Sequence, residues 1–486
     1  MTATKALRRW PTTARDTLPA SLWDADAIAA ATGGQASAEF SVSGVEIDSR
    51  DVRPGDLFVA LRGESMDGHA FLDAAFANGA AAAIVDRPVA YPHVLVADTG
   101  KALRSLAAAS RARAPGVKVV GVTGSVGKTG VKEAIFAALD RSSRGAAHRS
   151  VRSYNNHVGV PLSLARMPAR SRFGVFEMGM NNAGEIDGLT RQVRPHVAVI
   201  TTIAPAHIEN LGSIEAIADA KAEIFQGLEP GGTAIIPTDI PQYEQLRAAA
   251  EKLGAKIIAF GRARHADMRL IDTIQVANGG SLVTVQFGEG RLVYSVAEPG
   301  EHWVMNSLAV MAAVHAAGGD MGAAGLALAE MGGLKGRGAR HRVAAPGGKV
   351  LVIDESYNAN PASMRATLTQ LGQTPSGRRI AVLGSMKELG DFAEGFHAAL
   401  LEPVKAADLD LVVLVGPEML ALERELRNSG LKAVHGKPEC VHCVNPAEAV
   451  EQLREFGLLG GDAVLVKGSN SLGLNKVVEE LIHRNA

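Results

Sequence analysis

A lysine and a threonine, Lys128-Thr129, close the glycine-rich run Gly121-Val-Thr-Gly-Ser-Val-Gly-Lys-Thr129. Gly124 and Gly127 let the backbone N–H groups around Ser125 turn inward on phosphate oxygens. Lys128 can reach the β- and γ-phosphates of a nucleotide, and the Thr129 hydroxyl can ligate Mg²⁺. Two more polar side chains follow apolar runs. Glu177 ends the run from Phe173, and His207 comes soon after the run 197–202. A carboxylate at the C-terminal end of a strand lies where open α/β sheets bind ligands, a natural Mg²⁺ position beside phosphates. Lys221 has Ile217, Ala218, Ile224 and Phe225 as its helical neighbours, so no local ion pair is available to it. Asn155 and Asn156, in a loop bounded by Gly159 and Pro161, can hydrogen-bond a polar ligand. These residues point to chemistry on ATP or GTP.

The elements that must position them follow from periodicity. The apolar run 117–120 reads as a buried strand and 131–139 as a helix, so the glycine loop joins a strand to a helix N-terminus, whose partial positive charge favours phosphate. Runs at 173–178, 197–202 and 233–237 alternate with helices, which predicts a largely parallel sheet. Residues 282–287 and 291–296 predict a hairpin around Gly288-Glu-Gly290, with a helix over 304–317. Ahead of this lies a small α/β unit. It has a helix that starts at Ser21-Leu-Trp-Asp24 and stops at Gly33-Gly34, strands at 43–47, 57–61 and 80–85, and helices at 71–78 and 100–115. Gly332-Gly-Leu-Lys-Gly-Arg-Gly338 reads as a linker and hinge. Beyond it, strands at 350–354, 380–384, 411–415 and 463–467 alternate with helices at 363–371, 395–406, 419–429 and 446–456, a Rossmann-like pattern without a GxGxxG fingerprint. The expected fold class is α/β in three domains, 1–103, 104–335 and 336–486.

The bulk properties exclude several classes. Lys plus Arg number 50 and Asp plus Glu 51, so there is no basic excess to hold nucleic acid. Aromatic residues make up only 4%, too few for base-stacking platforms. No apolar run is long enough for a membrane span, and Trp10-Pro11 interrupts any secretory signal, so a cytoplasmic monomer is expected. Cys440 and Cys443, with His435 and His442 nearby, form a single CxxC pair and read as reduced thiols in a surface loop.

The loop spacing is unusual, with five residues between Gly121 and Gly127 and two between Gly124 and Gly127. This T-G-S-x-G-K-T form resembles the ATP loop of the Mur ligase and folylpolyglutamate synthase superfamily. Lys128-Thr129, Asn155-Asn156, Glu177-x-Gly-x-Asn181, His207-x-Glu209 and Ala220-Lys221-x-Glu223 stand in the order seen in Mur ligases. Asp354-Glu-Ser-Tyr-Asn-Ala-Asn-Pro361-Ala-Ser363 resembles the motif of the family branch that adds D-alanyl-D-alanine to UDP-N-acetylmuramoyl-tripeptide. Gly384-Ser-Met-Lys-Glu-Leu-Gly390 and Val464-Leu-Val-Lys467-Gly-Ser469 look like two further segments of that branch. Asp48-Ser49-Arg50 with Asp67-Gly-His69 looks like its UDP-binding domain. The chain departs from the pattern at Val126, Gly130, Ala204 and Asn470, which bears on contact details.

The resemblance implies an ATP-dependent amide ligase working through an acyl phosphate, with UDP held by the first domain, ATP by the second and the dipeptide by the third. It implies that Gly124, Ser125, Gly127, Lys128 and Thr129 hold ATP phosphates, that Asn306 and Arg337 contact adenine, and that Asp354 contacts ribose. It implies two Mg²⁺ ions on Thr129, Glu177, His207 and Lys221, with Lys221 open to carbamylation. An apolar setting favours the neutral amine that carbamylation needs. Lys128, His207 and Lys221 would be catalytic. Ser49, Arg50, Asn155, Asn156, Tyr357, Asn358, Asn360, Lys467 and Ser469 would contact the UDP-sugar peptide or the dipeptide. Two rivals are another amide ligase of the superfamily, against which Tyr357-Asn-Ala-Asn360 argues, and a nucleotide switch, which leaves Glu177, His207 and Lys221 without a purpose.

Overall fold

The computed structural model describes residues 21–63, 66–276, 279–429 and 439–483. They form three main sheets and one short two-stranded ribbon. The first sheet runs Gln35–Ala36, His93–Leu95, Ala82–Val85, Asp56–Val59, Gly44–Glu46, parallel except for its first strand. The third runs Ala339–Ala345, Gly348–Glu355, Ala463–Lys467, Arg379–Gly384, Leu411–Val415, Glu439–Cys443 and is again parallel apart from its opening hairpin.

The nine-stranded second sheet positions the nucleotide loop. Lys118–Thr123 lies between Phe173–Glu177 and Val197–Ile200, all parallel. The chain therefore leaves the central strand to one side and returns on the other, and the crevice at such a reversal is where open α/β sheets take ligands. The strand is buried on both faces. Val120 and Val122 pack into one apolar cluster, while Val119 packs into another with Phe176, Met178 and Ile224. Gly121 belongs to the second face, where a Cβ would meet Met178 Cε at 2.6 Å. At the far edge, Met268–Gln275, Ser281–Phe287 and Gly290–Val296 form an antiparallel meander, with Gly288 supplying the positive φ of +56° that its tight turn needs.

The described residues correct three sequence expectations. The first helix spans Ala25–Thr32 and is capped by Asp24, whose side chain accepts from Ala27 N at 2.8 Å; Ser21 does not start it. One helix over 395–406 is instead two, Ala393–Ala398 and Leu401–Ala406. Pro403 explains the break, because its ring collides with the carbonyl four residues back and has no N–H to donate. Cys440 and Cys443 lie on the strand Glu439–Cys443 rather than in a surface loop, and Cys443 is buried. Burial pushes both thiols up to about 11, which keeps them in the thiol form rather than as reactive thiolates at neutral pH. His435 lies outside the described residues.

Candidate active site

The helix Lys128–Ser143 starts directly after the loop, with Gly127 as its N-cap. Gly124 and Gly127 have φ of +142° and +86°. A Cβ at Gly124 would lie 2.0 Å from Thr201 Oγ1, and one at Gly127 would lie 3.0 Å from Asn306 Oδ1. Both positions therefore require glycine on conformational and steric grounds. The Ser125 hydroxyl donates to Ala204 O at 2.9 Å and accepts from Ala204 N at 3.0 Å, which ties the loop to the neighbouring strand's exit. Thr201 Oγ1 donates to Val126 O at 2.5 Å and adds a second tie. Lys128 Nζ donates to Gly124 O at 2.7 Å and Ser125 O at 3.4 Å. Burial lowers its pKa and Glu177 opposes that shift.

Glu177 is fully buried at the end of its strand. Thr129 Oγ1 donates to its Oε2 at 2.9 Å and Asn155 Nδ2 to its Oε1 at 2.8 Å. Lys221, on the helix Ile214–Ala222, is also fully buried, and its Nζ has no hydrogen-bond partner. Burial first, and then the Lys128 charge, drive its pKa well below that of an ordinary lysine. Glu223 is spent elsewhere, accepting from Gly184 N at 2.6 Å and Asp187 N at 3.1 Å to cap the helix Glu185–Val193. His207 holds a φ of +61°. Its Nδ1 lies 2.5 Å from Glu388 Oε2, an ion-pair contact without the angles of a good hydrogen bond. That contact pulls Glu388 below the usual carboxylate range. Glu388 lies within the Gly384–Gly390 segment but was assigned no role from sequence, and only the meeting of two domains reveals its partner.

The third sheet brings its own residues to the same edge. Asp354 is buried and accepts from Gly336 N at 2.8 Å and from the Ser356 hydroxyl at 2.6 Å. Arg337 stacks its guanidinium 4.2 Å from the Tyr357 ring centroid. Tyr357 OH meets Ser153 Oγ of the central domain at 2.5 Å. Lys467 is buried, with Nζ donating to Asn358 O at 2.9 Å and lying 3.6 Å from Glu355. Ser469 Oγ accepts from Lys387 N at 3.0 Å. Asn360 caps the helix Pro361–Gln373 in a reciprocal box with Ser363, and Asn156 Oδ1 accepts from Gly159 N at 2.9 Å. Ser49 is buried in the first domain, where its carbonyl accepts from Asn78, and exposed Arg50 pairs with Asp48 at 2.6 Å.

No three His, Cys, Asp or Glu side chains converge as a metal cluster among the described residues. Mg²⁺ does not require one, since it is held by one or two carboxylates together with substrate phosphates. The oxygen donors Thr129 and Glu177 fit that mode of binding.

A strand–loop–helix turn of the phosphate-binding kind on a central, mostly parallel sheet, faced by a Rossmann-like sheet, fits an ATP-dependent ligase. The model of the Mur ligase middle domain matches residues 122–314 and that of the Mur ligase glutamate ligase domain matches 339–470. The Mur ligase family catalytic domain model matches 41–126. The chain belongs to the Mur ligase family. It is 35% identical over 449 residues to the UDP-N-acetylmuramoyl-tripeptide–D-alanyl-D-alanine ligase of Bacillus subtilis, covering 91% of this chain and 93% of that one. It is 34% identical to the ligase of the same name from Escherichia coli, covering 91% and 94%. Among solved structures it is similar to MurF from Acinetobacter baumannii, with a TM-score of 0.80, 31% identity and coverage of 95% and 99%. Thermotoga maritima MurF in complex with ADP gives a TM-score of 0.71 at 26% identity, covering 90% and 96%.

Proposed function

We propose that this protein joins D-alanyl-D-alanine to UDP-N-acetylmuramoyl-tripeptide at the expense of ATP, giving the pentapeptide precursor of peptidoglycan. One observation carries the reading. The Thr129 hydroxyl of the phosphate loop is bonded to buried Glu177, partnerless Lys221 lies near enough to Lys128 to feel its charge, and the Tyr357 segment meets Ser153 of the central domain.

The tripeptide's terminal carboxylate attacks the γ-phosphorus of ATP, and ADP leaves. The amine of the dipeptide attacks the acyl phosphate carbon, loses a proton, and phosphate leaves as the amide forms. Carboxylate and triphosphate repel each other, so the first step needs positive charge fixed in place beforehand. Lys128 and the N–H groups from Gly124 to Thr129 supply it. Thr129, Glu177, His207 and Lys221, the last as its carbamate, would hold two Mg²⁺ ions, which supply further charge neutralisation when bound. Glu388 fixes the His207 ring. Asn306 and Arg337 flank the adenine and Asp354 the ribose. Ser49 and Arg50 take the UDP end, and Asn155 and Asn156 order the loop beside the sugar peptide. Tyr357, Asn358, Lys467 and Ser469 face the dipeptide, while Asn360 serves through the helix it caps. Contact between the second and third domains keeps water from the acyl phosphate. The protein would act in the cytoplasm, where ATP is available, and as a monomer, since all these groups come from one chain.

The test is phosphate release from Mg·ATP with the UDP-tripeptide, with and without the dipeptide. Release that needs both, with a pentapeptide product by mass, is the expected result. ATP binding without amine-dependent turnover would overturn the assignment.

A further inference from the structure

Lys132 lies on the helix Lys128–Ser143 just beyond the phosphate loop, is fully buried, and has no part in the chemistry above. Its Nζ donates to Arg152 O at 2.6 Å and lies 2.6 Å from Glu133, which also meets Arg149 at 3.2 Å. A buried ammonium is costly unless well partnered, and here the partnering holds one backbone carbonyl. That carbonyl belongs to a residue with φ of +47°, the left-handed region that arginine seldom enters.

Arg152 sits at the centre of a segment that touches all three domains within a few residues. Its guanidinium reaches Asp51 of the first domain at 2.8 Å, directly after Asp48-Ser49-Arg50. Ser153 Oγ meets Tyr357 OH of the third domain at 2.5 Å. Ser150 Oγ accepts from Glu177 N at 3.0 Å, and Asn155 Nδ2 donates to the Glu177 carboxylate. One short strap thus joins the UDP-side domain, the dipeptide-side domain and the buried carboxylate, and the phosphate-loop helix anchors its strained turn.

We infer that residues 150–156 are a coupling strap, with Lys132, Arg152 and Ser153 as positioning residues that align Glu177 and Tyr357 when the first domain is seated. The inference rests on the ligase reading. The Arg152–Asp51 pair is largely exposed, so it adds little to stability by itself. A merely structural role therefore predicts almost no effect when it is removed.

The experiment compares full-length Asp51→Asn, Arg152→Gln and the double variant by amide hydrogen exchange, thermal melting and ligation kinetics. Lys132→Met is less suitable because it can fail to fold. In each single variant, exchange should quicken about threefold or more at both 150–158 and 354–360 with Tm unchanged. kcat should fall about tenfold with KM for ATP unchanged, and the double variant should be no worse than either single, because both remove one bond. Swapping the charges with Asp51→Arg plus Arg152→Asp should restore part of kcat. Unaltered exchange at 354–360, or single effects that multiply in the double variant, would overturn the strap. If the wild type forms no pentapeptide, the ligase reading falls, whereas the exchange measurement still decides the strap.

Discussion

Two buried lysines, one at each side of the site, are set in opposite ways. Lys221 of the central domain has an Nζ with no partner, and burial together with the Lys128 charge lowers its pKa well below that of an ordinary lysine. Lys467, at the end of the strand Ala463–Lys467, donates to Asn358 O and faces Glu355. Burial lowers its pKa too, but the Glu355 carboxylate opposes the shift. The same contrast runs through their surroundings. On the central sheet, Thr129 and Asn155 aim their polar atoms at Glu177. In the third domain, Asp354 and Asn360 spend theirs on Gly336, Ser356 and Ser363. One region keeps a polar group unsatisfied at a cost to stability, and the other uses its motif to build the loop that presents Tyr357. An unsatisfied buried amine that persists is a candidate for chemistry on its own nitrogen, whereas a satisfied one first holds in place the loop from which substrate is met.

Replacing both lysines by methionine sets the regions against each other most sharply. Lys221→Met should cut ligation by about a hundredfold to a thousandfold. It should also leave Tm unchanged or raise it, because an unpartnered buried amine is removed. Lys467→Met should instead lower stability by about 2–4 kcal/mol, because it leaves the partly buried Glu355 carboxylate without its counter-charge. Phosphate-release assays and calorimetry on both variants check this. A fall in Tm for Lys221→Met as large as that for Lys467→Met would erase the distinction.

Much of this arrangement was legible in sequence, for identifiable reasons. The strands Thr233–Pro237, Leu411–Val415 and Ala463–Lys467 lie where the apolar runs put them, since a parallel strand buried on both faces reads as an unbroken run. The helix Pro446–Phe456 is likewise bounded as read, with Asn445 capping and Pro446 in its first turn. Short pairings such as Gln35–Ala36 with His93–Leu95 carry too few residues for a period to register. In the site, the glycine loop and Glu177 were legible because local order places them. The His207–Glu388 contact and the Arg152–Asp51 tie were not, because they join residues far apart in the chain. Nor does a sequence say that Asn360 turns its amide into a cap rather than toward a ligand.

Where the central and third domains meet, the comparison can be sharpened by pH. Glu298 precedes the helix Glu301–Ala316, and a Cβ at Gly338 would lie 3.3 Å from its carboxylate and 3.6 Å from that of Glu355. Burial pushes Glu298 up to about 7; Arg340 opposes the shift and Glu355 adds to it. The folded protein therefore holds a proton that the unfolded chain releases above about 4.5, so this group's contribution to stability is fully present below that value and is lost as pH rises through about 7. Glu298→Gln should remove this decline. Its Tm should exceed the wild type's by a margin that grows between pH 5 and 7.5, equivalent to about 1–3 kcal/mol at the upper end. A constant margin across that range would mean that Glu298 is ionised in the folded state.

The smallest expected effect concerns Asn360, and it separates architecture from contact. Its side chain accepts from Ser363 N at 2.9 Å, while Ser363 Oγ accepts from Asn360 N at 3.1 Å. Removing such a cap with Asn360→Ala should cost about 1 kcal/mol, and Asn360→Ser should regain most of it because a hydroxyl can accept the same bond. If the amide does nothing beyond capping, the serine variant should also keep its KM for the dipeptide within about twofold, since uniform binding is all that a lost contact would remove. A serine variant that melts like the wild type yet binds the dipeptide about tenfold more weakly would move Asn360 from the loop's architecture into its binding surface. The third domain's motif would then act on substrate as directly as Glu177 and Lys221 do on the central sheet.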